Sequence, residues 1–393
     1  MPQLPVRITS LNDGGSDGWE LFYRARAMVA RGVDVIELTI GEHDIGTDPS
    51  ILNALHQAAL GGHTGYAEVP GIAALRSHIA NRVTKRSGAP TDTGNILITA
   101  GGQAALFAAH MAALSPGDAA LYLDPYYATY PGTVRAAGGR AIAVPTNAQA
   151  GFAPDPEMIR AAAREHGARS LLINSPNNPT GTVYDRQSLE AIAQVCIEED
   201  LWLISDEVYD TQIWEGAHLS ARALPGMADR TLVIGSMSKS HAMTGSRIGW
   251  IVAPEPVIDV LINLATNTTY GVAGYIQDAA LFALEQGPEF EAQIAKPFAR
   301  RRARALDILK QHPDIHVIPS GGAMYLMLDI RATCLTGEAF AARLLEERRI
   351  AVMPGESFGS SAAGHIRLAL TLDDERLCAA LTSLCHFAES LIP

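Results

Sequence analysis

The sequence predicts an α/β protein: a mostly parallel sheet flanked by helices, joined to a second, smaller α+β unit. Three observations carry this. Between residues 95 and 237, short apolar runs alternate with helical segments, the pattern of strands joined by crossover helices. The runs "LLIN", "LWLIS" and "TLVIG" are apolar at successive positions, as expected of strands covered on both faces. After residue 254 the alternation gives way to long helices, then to strands and helices in mixed order. The expected division is 46–285 for the larger unit. Residues 1–45 and 286–393 form the smaller one.

In chain order, a helix is expected over residues 19–31 and a strand at "DVIELTI", 34–40. "PSILNALHQAAL" starts as a helix on its proline, and "IAALRSHIANRVTKRSG" ends one on its glycine. "NILITA", "DAALYLD", "RAIAVP", "RSLLINSP", "LWLISDEVY" and "RTLVIGSM" follow as strands. Between them "QAALFAAHMAAL", "YPGTVRAAG", "PEMIRAAAREHG" and "RQSLEAIAQVCIEED" are helices. Beyond residue 313 come "HVIPSGGAMYLMLDI", the helix "GEAFAARLLEERR", the strands "IAVMPG" and "HIRLAL", and a closing helix.

Composition narrows the function. The chain of 393 residues is 48% hydrophobic and 18% charged, with a net charge of −12. An acidic surface argues against nucleic acid, whose phosphates need cations. No run of 18 apolar residues suggests a membrane span, and the first residues carry no secretory pattern. The four cysteines show no C-x-x-C spacing, and the histidines no H-x-x-x-H pair. A cytoplasmic protein without a metal site is expected.

Ligands of open parallel sheets sit beyond the carboxyl ends of the strands. Gly101 and Gly102 fall there between a strand and a helix, where free N–H groups and the helix dipole suit an anion. Asn178 follows the next apolar strand but one, and Asp206 with Tyr209 ends another. Lys239 stands among small hydroxyl residues after "TLVIG", eight residues before Arg247. It is one of four lysines in a chain with 30 lysines and arginines together. Lysine can become a neutral nucleophile, whereas arginine cannot. An anion cradle, an amide, a carboxylate with a phenol, and an amine together suit pyridoxal 5′-phosphate.

The motifs "YAEVPGIAALR", "AGGQAALF", "DPYYATYPG", "NSPNNPTG", "SDEVY", "SMSKSHAMTGSRIGW" and "HIRLAL", in this order, resemble the class I/II aminotransferases of fold type I. The resemblance spans about residues 41–367. It implies a pyridoxal-phosphate transaminase with Lys239 as the Schiff-base and proton-moving lysine. Asp206 would pair with the ring nitrogen, Asn178 and Tyr209 would meet the ring oxygen, and Tyr127 would stack on the ring. Ser236, Ser238, Arg247 and the N–H groups of Gly101, Gly102 and Gln103 would hold the phosphate. Tyr66 would reach the site of a second subunit in a homodimer, with Thr269 or Tyr270 facing the same way. Arg367 would grip the substrate carboxylate beside the backbone of Gly41, and Asn178 would also meet substrate. Two departures from the family pattern are Gly102-Gln103 in the first phosphate turn and "GEHDIG" at residues 41–46.

Residues 248–295 contain no lysine or arginine, and the first phosphate turn carries Gln103. A dicarboxylic substrate would therefore lack a partner for its second carboxylate. A neutral or basic L-amino acid is expected, with pyruvate or another 2-oxo acid as acceptor. "LPGMADRT", "SKSHAMTG" and "SAAGHIRL" resemble arginine–pyruvate transaminases in particular. Trp19 and Glu20 would then stand near the substrate side chain, Glu20 facing a guanidinium. Competing readings are a C–S β-lyase using the same cofactor and a non-enzymatic effector-binding protein. The "SMSK" tetrapeptide also matches a serine-hydrolase motif, but the chain has no S-D-N or K-T-G to complete it.

Overall fold

The computed structural model describes residues 2–13 and 18–393. Its strands in chain order are β1 (Ile36–Glu37), β2 (Ile96–Thr99), β3 (Ala119–Asp124), β4 (Arg140–Pro145), β5 (Ala168–Asn174), β6 (Trp202–Asp206) and β7 (Thr231–Ser236). Then come β8 (Gly249–Val252), β9 (His316–Val317), β10 (Tyr325–Asp329), β11 (Ile350–Ala351), β12 (Met353–Pro354) and β13 (His365–Ala369). Seven of them form the central sheet in the order β2-β8-β7-β6-β5-β3-β4. All its pairings are parallel except those of β8, which is antiparallel to both neighbours.

Consecutive side chains explain why the middle strands are apolar throughout. Leu171 and Leu203 join a cluster with Ile159, Leu189 and Ile192, from the helices Pro156–His166 and Arg186–Glu198. The next residues, Leu172 and Ile204, join a cluster on the other face with Leu106 and Ala109, from the helix Gly102–Ala113. Period-two geometry sends neighbours to opposite faces, and both faces are covered. Burying each such side chain contributes about 2 kcal/mol.

The second sheet, β12-β13-β10-β9, is antiparallel. Its cluster includes Phe298, Leu326, Phe340, Leu368 and Leu384, drawing in the helices Pro288–Leu309, Gly337–Arg348 and Asp374–Glu389. Leu38 belongs to the same cluster. The helix Glu20–Val29 packs Ala25 and Met28 against Leu345 and Ala351.

Two local expectations change. The strand expected over residues 34–40 shrinks to β1, which pairs with β11 alone. Leu38 O still accepts from a backbone group, Ala369 N, but beyond it the carbonyls are taken by side chains: Arg367 donates to Thr39 O, Thr371 Oγ1 to Ile40 O, and Lys239 Nζ to Gly41 O. A ladder cannot continue where its acceptors are already engaged. Conversely, "GWIV" forms the unforeseen strand β8 between β2 and β7.

Candidate active site

The carboxyl ends of β2, β5, β6 and β7 open onto a cavity of about 210 Å³. Gly102, Gln103, Asn174, Asn178, Asp206, Ser236, Ser238, Lys239 and Arg247 line it. Gly101, at φ 82°, is the N-cap of the helix Gly102–Ala113, so that helix points its free N–H groups at the cavity. A Cβ on Gly101 would stand 2.5 Å from Nη2 of Arg247, so glycine is what lets the guanidinium lie against this turn. Arg247 holds φ 51°, a sparsely populated conformation for a side-chain-bearing residue, and its Nη1 donates to Thr244 O at 2.9 Å. Ser236 caps the next turn, its Oγ accepting from Ser238 N at 3.1 Å and donating to Ser238 Oγ at 3.0 Å. Cationic, hydroxyl and backbone donors therefore converge on one end of the cavity, the donor set of an anion site.

Asp206 is buried at the cavity floor. Its Oδ2 accepts from Tyr130 Oη at 2.7 Å and its Oδ1 from Val208 N at 3.3 Å. Neither donor is a cation, and burial pushes the carboxyl up to about 6. Asn174 holds the strand end in place: its Nδ2 donates to Asp206 O at 2.9 Å, and its Oδ1 accepts from Asn178 N at 2.7 Å. Lys239 Nζ donates to Gly41 O. Burial, above all, pushes this amine down to about 8, with Glu42 opposing and Arg367 and Arg247 adding to the effect.

Arg367 is among the largest fully buried side chains of the molecule. Its guanidinium lies over the rings of both Tyr325 and Phe358, 4.5 Å from each centroid. Nη1 donates to Asn178 Oδ1 at 2.8 Å and Nη2 to Thr39 O, while the buried Nε has no partner. These acceptors are neutral. A buried cation so placed beside an open cavity is arranged for an anion arriving from outside.

Tyr127, Tyr209, Gly41 and Trp19, all expected at the site, also line the cavity. Burial pushes the Tyr127 phenol up to about 12. Tyr209 shares a 2.9 Å hydrogen bond with the hydroxyl of Tyr325. Tyr66 lies outside this chain's cavity: it is 90% exposed and packs against Tyr270, itself exposed, at 5.1 Å between ring centroids. Glu20, expected near the substrate side chain, is exposed and lines a neighbouring cleft of about 740 Å³ with Arg24 and Glu338, whereas Trp19 lines the cavity.

"GEHDIG" also resolves differently from a simple lip. His43 turns inward, edge-on to Phe298 at 5.1 Å, and Asp44 pairs with the buried Arg301 at 2.6 Å.

Tyr130, Tyr325 and Asn174 are lining residues that the sequence reading missed. Tyr130 stands three positions after Tyr127 inside "DPYYATYPG", on the first turn of the helix Tyr130–Ala136. Tyr325 carries a hydroxyl into an otherwise apolar strand, which is a signal that a buried polar partner waits there.

The sequence profile of the family "Aminotransferase class I and II" matches residues 33–384. An arginine–pyruvate transaminase of Pseudomonas aeruginosa is 41% identical over 379 residues, 96% of each chain. An aspartate/prephenate aminotransferase of Thermus thermophilus is 37% identical over 362 residues, covering 91% of this chain and 92% of that protein. The solved structure of Thermus thermophilus aspartate aminotransferase with maleate matches with a TM-score of 0.92 at 34% identity, over 98% of this chain and all of the other. With its strand-end cavity lined by Lys239 and with these relatives, the chain belongs to the class I and II aminotransferases.

Proposed function

We propose that the protein is a pyridoxal 5′-phosphate-dependent transaminase that moves the amino group of a neutral or basic L-amino acid to pyruvate or a similar 2-oxo acid. The observation that carries this is Arg367: a buried cation on neutral acceptors, opening on the cavity that also holds Lys239.

The residues present fit the cofactor. Asp206, buried without a cationic donor, suits a protonated ring nitrogen, and contact with that charge would offset its burial. Arg247, Ser236, Ser238 and the N–H groups after Gly101 suit a phosphate. Asn178 and Tyr209 stand for the ring oxygen, and Tyr127 for the ring face. When bound, the cofactor supplies a carbonyl that takes up the amino group and a ring that draws electrons from the substrate Cα.

The chain's own residues do the rest. Arg367 orients the α-carboxylate through two N–H groups, with Asn178 and Thr39 O fixing the guanidinium plane. Lys239 Nζ, held down to about 8 so that about half of it is neutral at that pH, takes a proton from Cα and returns it on the other side of the reaction.

The substrate class rests on charge. The cations lining the cavity are Lys239, Arg247 and Arg367, each already given a role. Gln103 has both ends of its amide engaged, with Thr133 Oγ1 at 2.7 Å and Thr129 Oγ1 at 3.0 Å. A side-chain carboxylate would enter unpaired at a cost of several kcal/mol. The resemblance to the Pseudomonas arginine–pyruvate transaminase agrees with this. Neither a β-lyase nor an effector-binding role is favoured, since the relatives are named as transaminases.

We further infer a homodimer in which the exposed Tyr66 and Tyr270 meet the partner's site. A larger unit of residues 46–285 is supported by three hydrophobic clusters whose buried residues all fall within it, the second sheet's cluster drawing on it for Tyr209 among its buried residues. A cytoplasmic setting fits the four free cysteines. No helix among the described residues is long and apolar enough to cross a membrane. The test is turnover of the twenty amino acids with pyruvate and with 2-oxoglutarate. A neutral or basic donor should lead. Aspartate or glutamate leading by about tenfold would overturn the charge argument.

A further inference from the structure

We propose that Asp124, at the end of β3, is a positioning residue for the substrate carboxylate: it ties down the turn that carries Phe358, and Phe358 holds one face of the Arg367 guanidinium. The inference rests on the reading of Arg367 given above.

The tie runs from the central sheet to the C-terminal part of the chain. Asp124 is buried, and its carboxylate reaches across to the short turns Gly355–Phe358 and Ser360–Ala362. Oδ2 accepts from Ser360 Oγ at 3.0 Å, and both oxygens lie 3.2 Å from Ser361 N. Gly359, between the two turns, holds φ 117°, and a Cβ there would stand 2.1 Å from Asp124 Oδ1. The close approach therefore needs glycine. Two residues on, Tyr126 N donates to Phe358 O at 2.9 Å, a second link to the same turn. Phe358 is fully buried with its ring centroid 4.5 Å from Arg367 Cζ, the same distance as that of Tyr325. The turn also accounts for the cavity wall: Ser357 Oγ donates to Gly18 O at 2.8 Å, beside Trp19.

A buried carboxylate with neutral donors is an expensive anchor. Its geometry explains why it is there. Phe358 lies on one chain segment and Asp124 on another, so the tie fixes where the Phe358 ring, and with it that side of Arg367, stands relative to the strand ends of the central sheet. The far side of the turn has its own anchor, Glu356 Oε1 accepting from Gly337 N at 2.9 Å and Gly364 N at 3.1 Å. Loss of Asp124 should therefore loosen the Phe358 face without unravelling the turn.

The experiment uses the holoenzyme of Asp124→Ala and Gly359→Ala, with KM and kcat for the best donor and calorimetric binding of valerate, a monocarboxylate without the amino group. KM and the valerate dissociation constant should both rise by about tenfold or more, with kcat within about threefold. The cofactor's absorption and its pH titration should stay those of the parent. Folded variants with both constants within about twofold of the parent overturn the proposal, as does a fall in kcat at unchanged KM. Should both variants fail to fold, Ser360→Ala removes one donor and leaves the carboxylate; about a threefold rise in the two constants is then expected, and none overturns the proposal. Arg367→Lys separates the two readings. If it binds valerate like the parent, the arginine reading fails. If it loses valerate while Asp124→Ala keeps it, the tie alone fails.

Discussion

Two sets of buried charges diverge from the end of β6. Asp206 faces the cavity with Lys239 and Arg367, and none of these three makes a salt bridge within the described residues. Glu207 and Asp210 line instead a small pocket with Arg82, Arg86 and His218. There the charges are paired. Arg82 bonds Asp210 at 3.0 Å and Glu291 at 2.9 Å, Arg86 bonds Glu291 at 3.0 Å, and His218 meets Glu207 at 2.9 Å. Ser205 and Ser220 donate to the other oxygen of Glu207. The same residue types, a few positions apart, have opposite fates. Where the protein supplies the counter-charge, the cluster holds helices to the sheet. Where it withholds it, burial shifts the groups toward neutrality and leaves them ready for a ligand's charges.

That contrast can be broken most directly at Lys239. Lys239→Ala should lower turnover by about 10⁴-fold while the protein stays folded, because the group that moves the proton is gone. Borohydride reduction should fix the cofactor to the parent's peptide containing Lys239. Fixation at Lys85, Lys296 or Lys310 would refute the assignment.

The next effect separates a ligand-facing charge from a paired one. Arg367→Ala should cost about 3 kcal/mol in kcat/KM and little in denaturant stability. Glu291→Gln should do the reverse. It leaves Asp210 as the one carboxylate bridging Arg82 and Arg86 and should cost about 2 kcal/mol of stability, with kcat per folded molecule near the parent's. Equal stability losses in the two variants would erase the distinction.

Asp206 and Asp210 sharpen it through pH. Burial raises the folded Asp206 carboxyl to about 6, above its unfolded value of 3.8. In the cofactor-free protein its ionised form is a penalty of about 3 kcal/mol, which is absent below pH 4 and grows as pH rises through 6. For Asp210, burial alone would act upward, but Arg82 and then Arg86 hold it down to about 2. Its contribution is present above pH 4 and lost as pH falls toward 2. Melting of cofactor-free protein at pH 7.5 should therefore rise in Asp206→Asn and fall in Asp210→Asn. Shifts of the same sign would contradict the comparison.

The smallest effect is expected at Glu20. Since it lines the neighbouring cleft, Glu20→Gln should change the ratio of basic to neutral donors by less than about twofold in kcat/KM. A tenfold loss confined to basic donors would bring Glu20 back into the site.

Much of the site was legible because its chemistry lies in residue types at strand ends. Lys239 after "TLVIG" and Asp206 after "LWLIS" are anomalies that an apolar run makes visible. Tyr130 was not legible as the Asp206 partner. Nothing in "DPYYATYPG" says which of its three tyrosines reaches a carboxylate 76 residues away. The place of Glu20 in the neighbouring cleft was not legible either, since adjacency to Trp19 along the chain does not decide which cavity a side chain lines.

By itself the sequence determined the α/β class, the strand ends that bear polar groups, and the amine among them, since periodicity and residue chemistry are local properties. Only the tertiary structure decided which buried charges are paired. Asp206 and Asp210 are equally acidic in the sequence, and their difference comes from Arg82 and Arg86 on a helix more than a hundred residues earlier. The same holds for the carbonyls of Thr39 and Ile40, which read as strand, and of Gly41 just after them, which serve as acceptors for Arg367, Thr371 and Lys239. Electrostatic pairing and carbonyl capture depend on distances of a few ångströms between remote segments, and packing alone sets those distances.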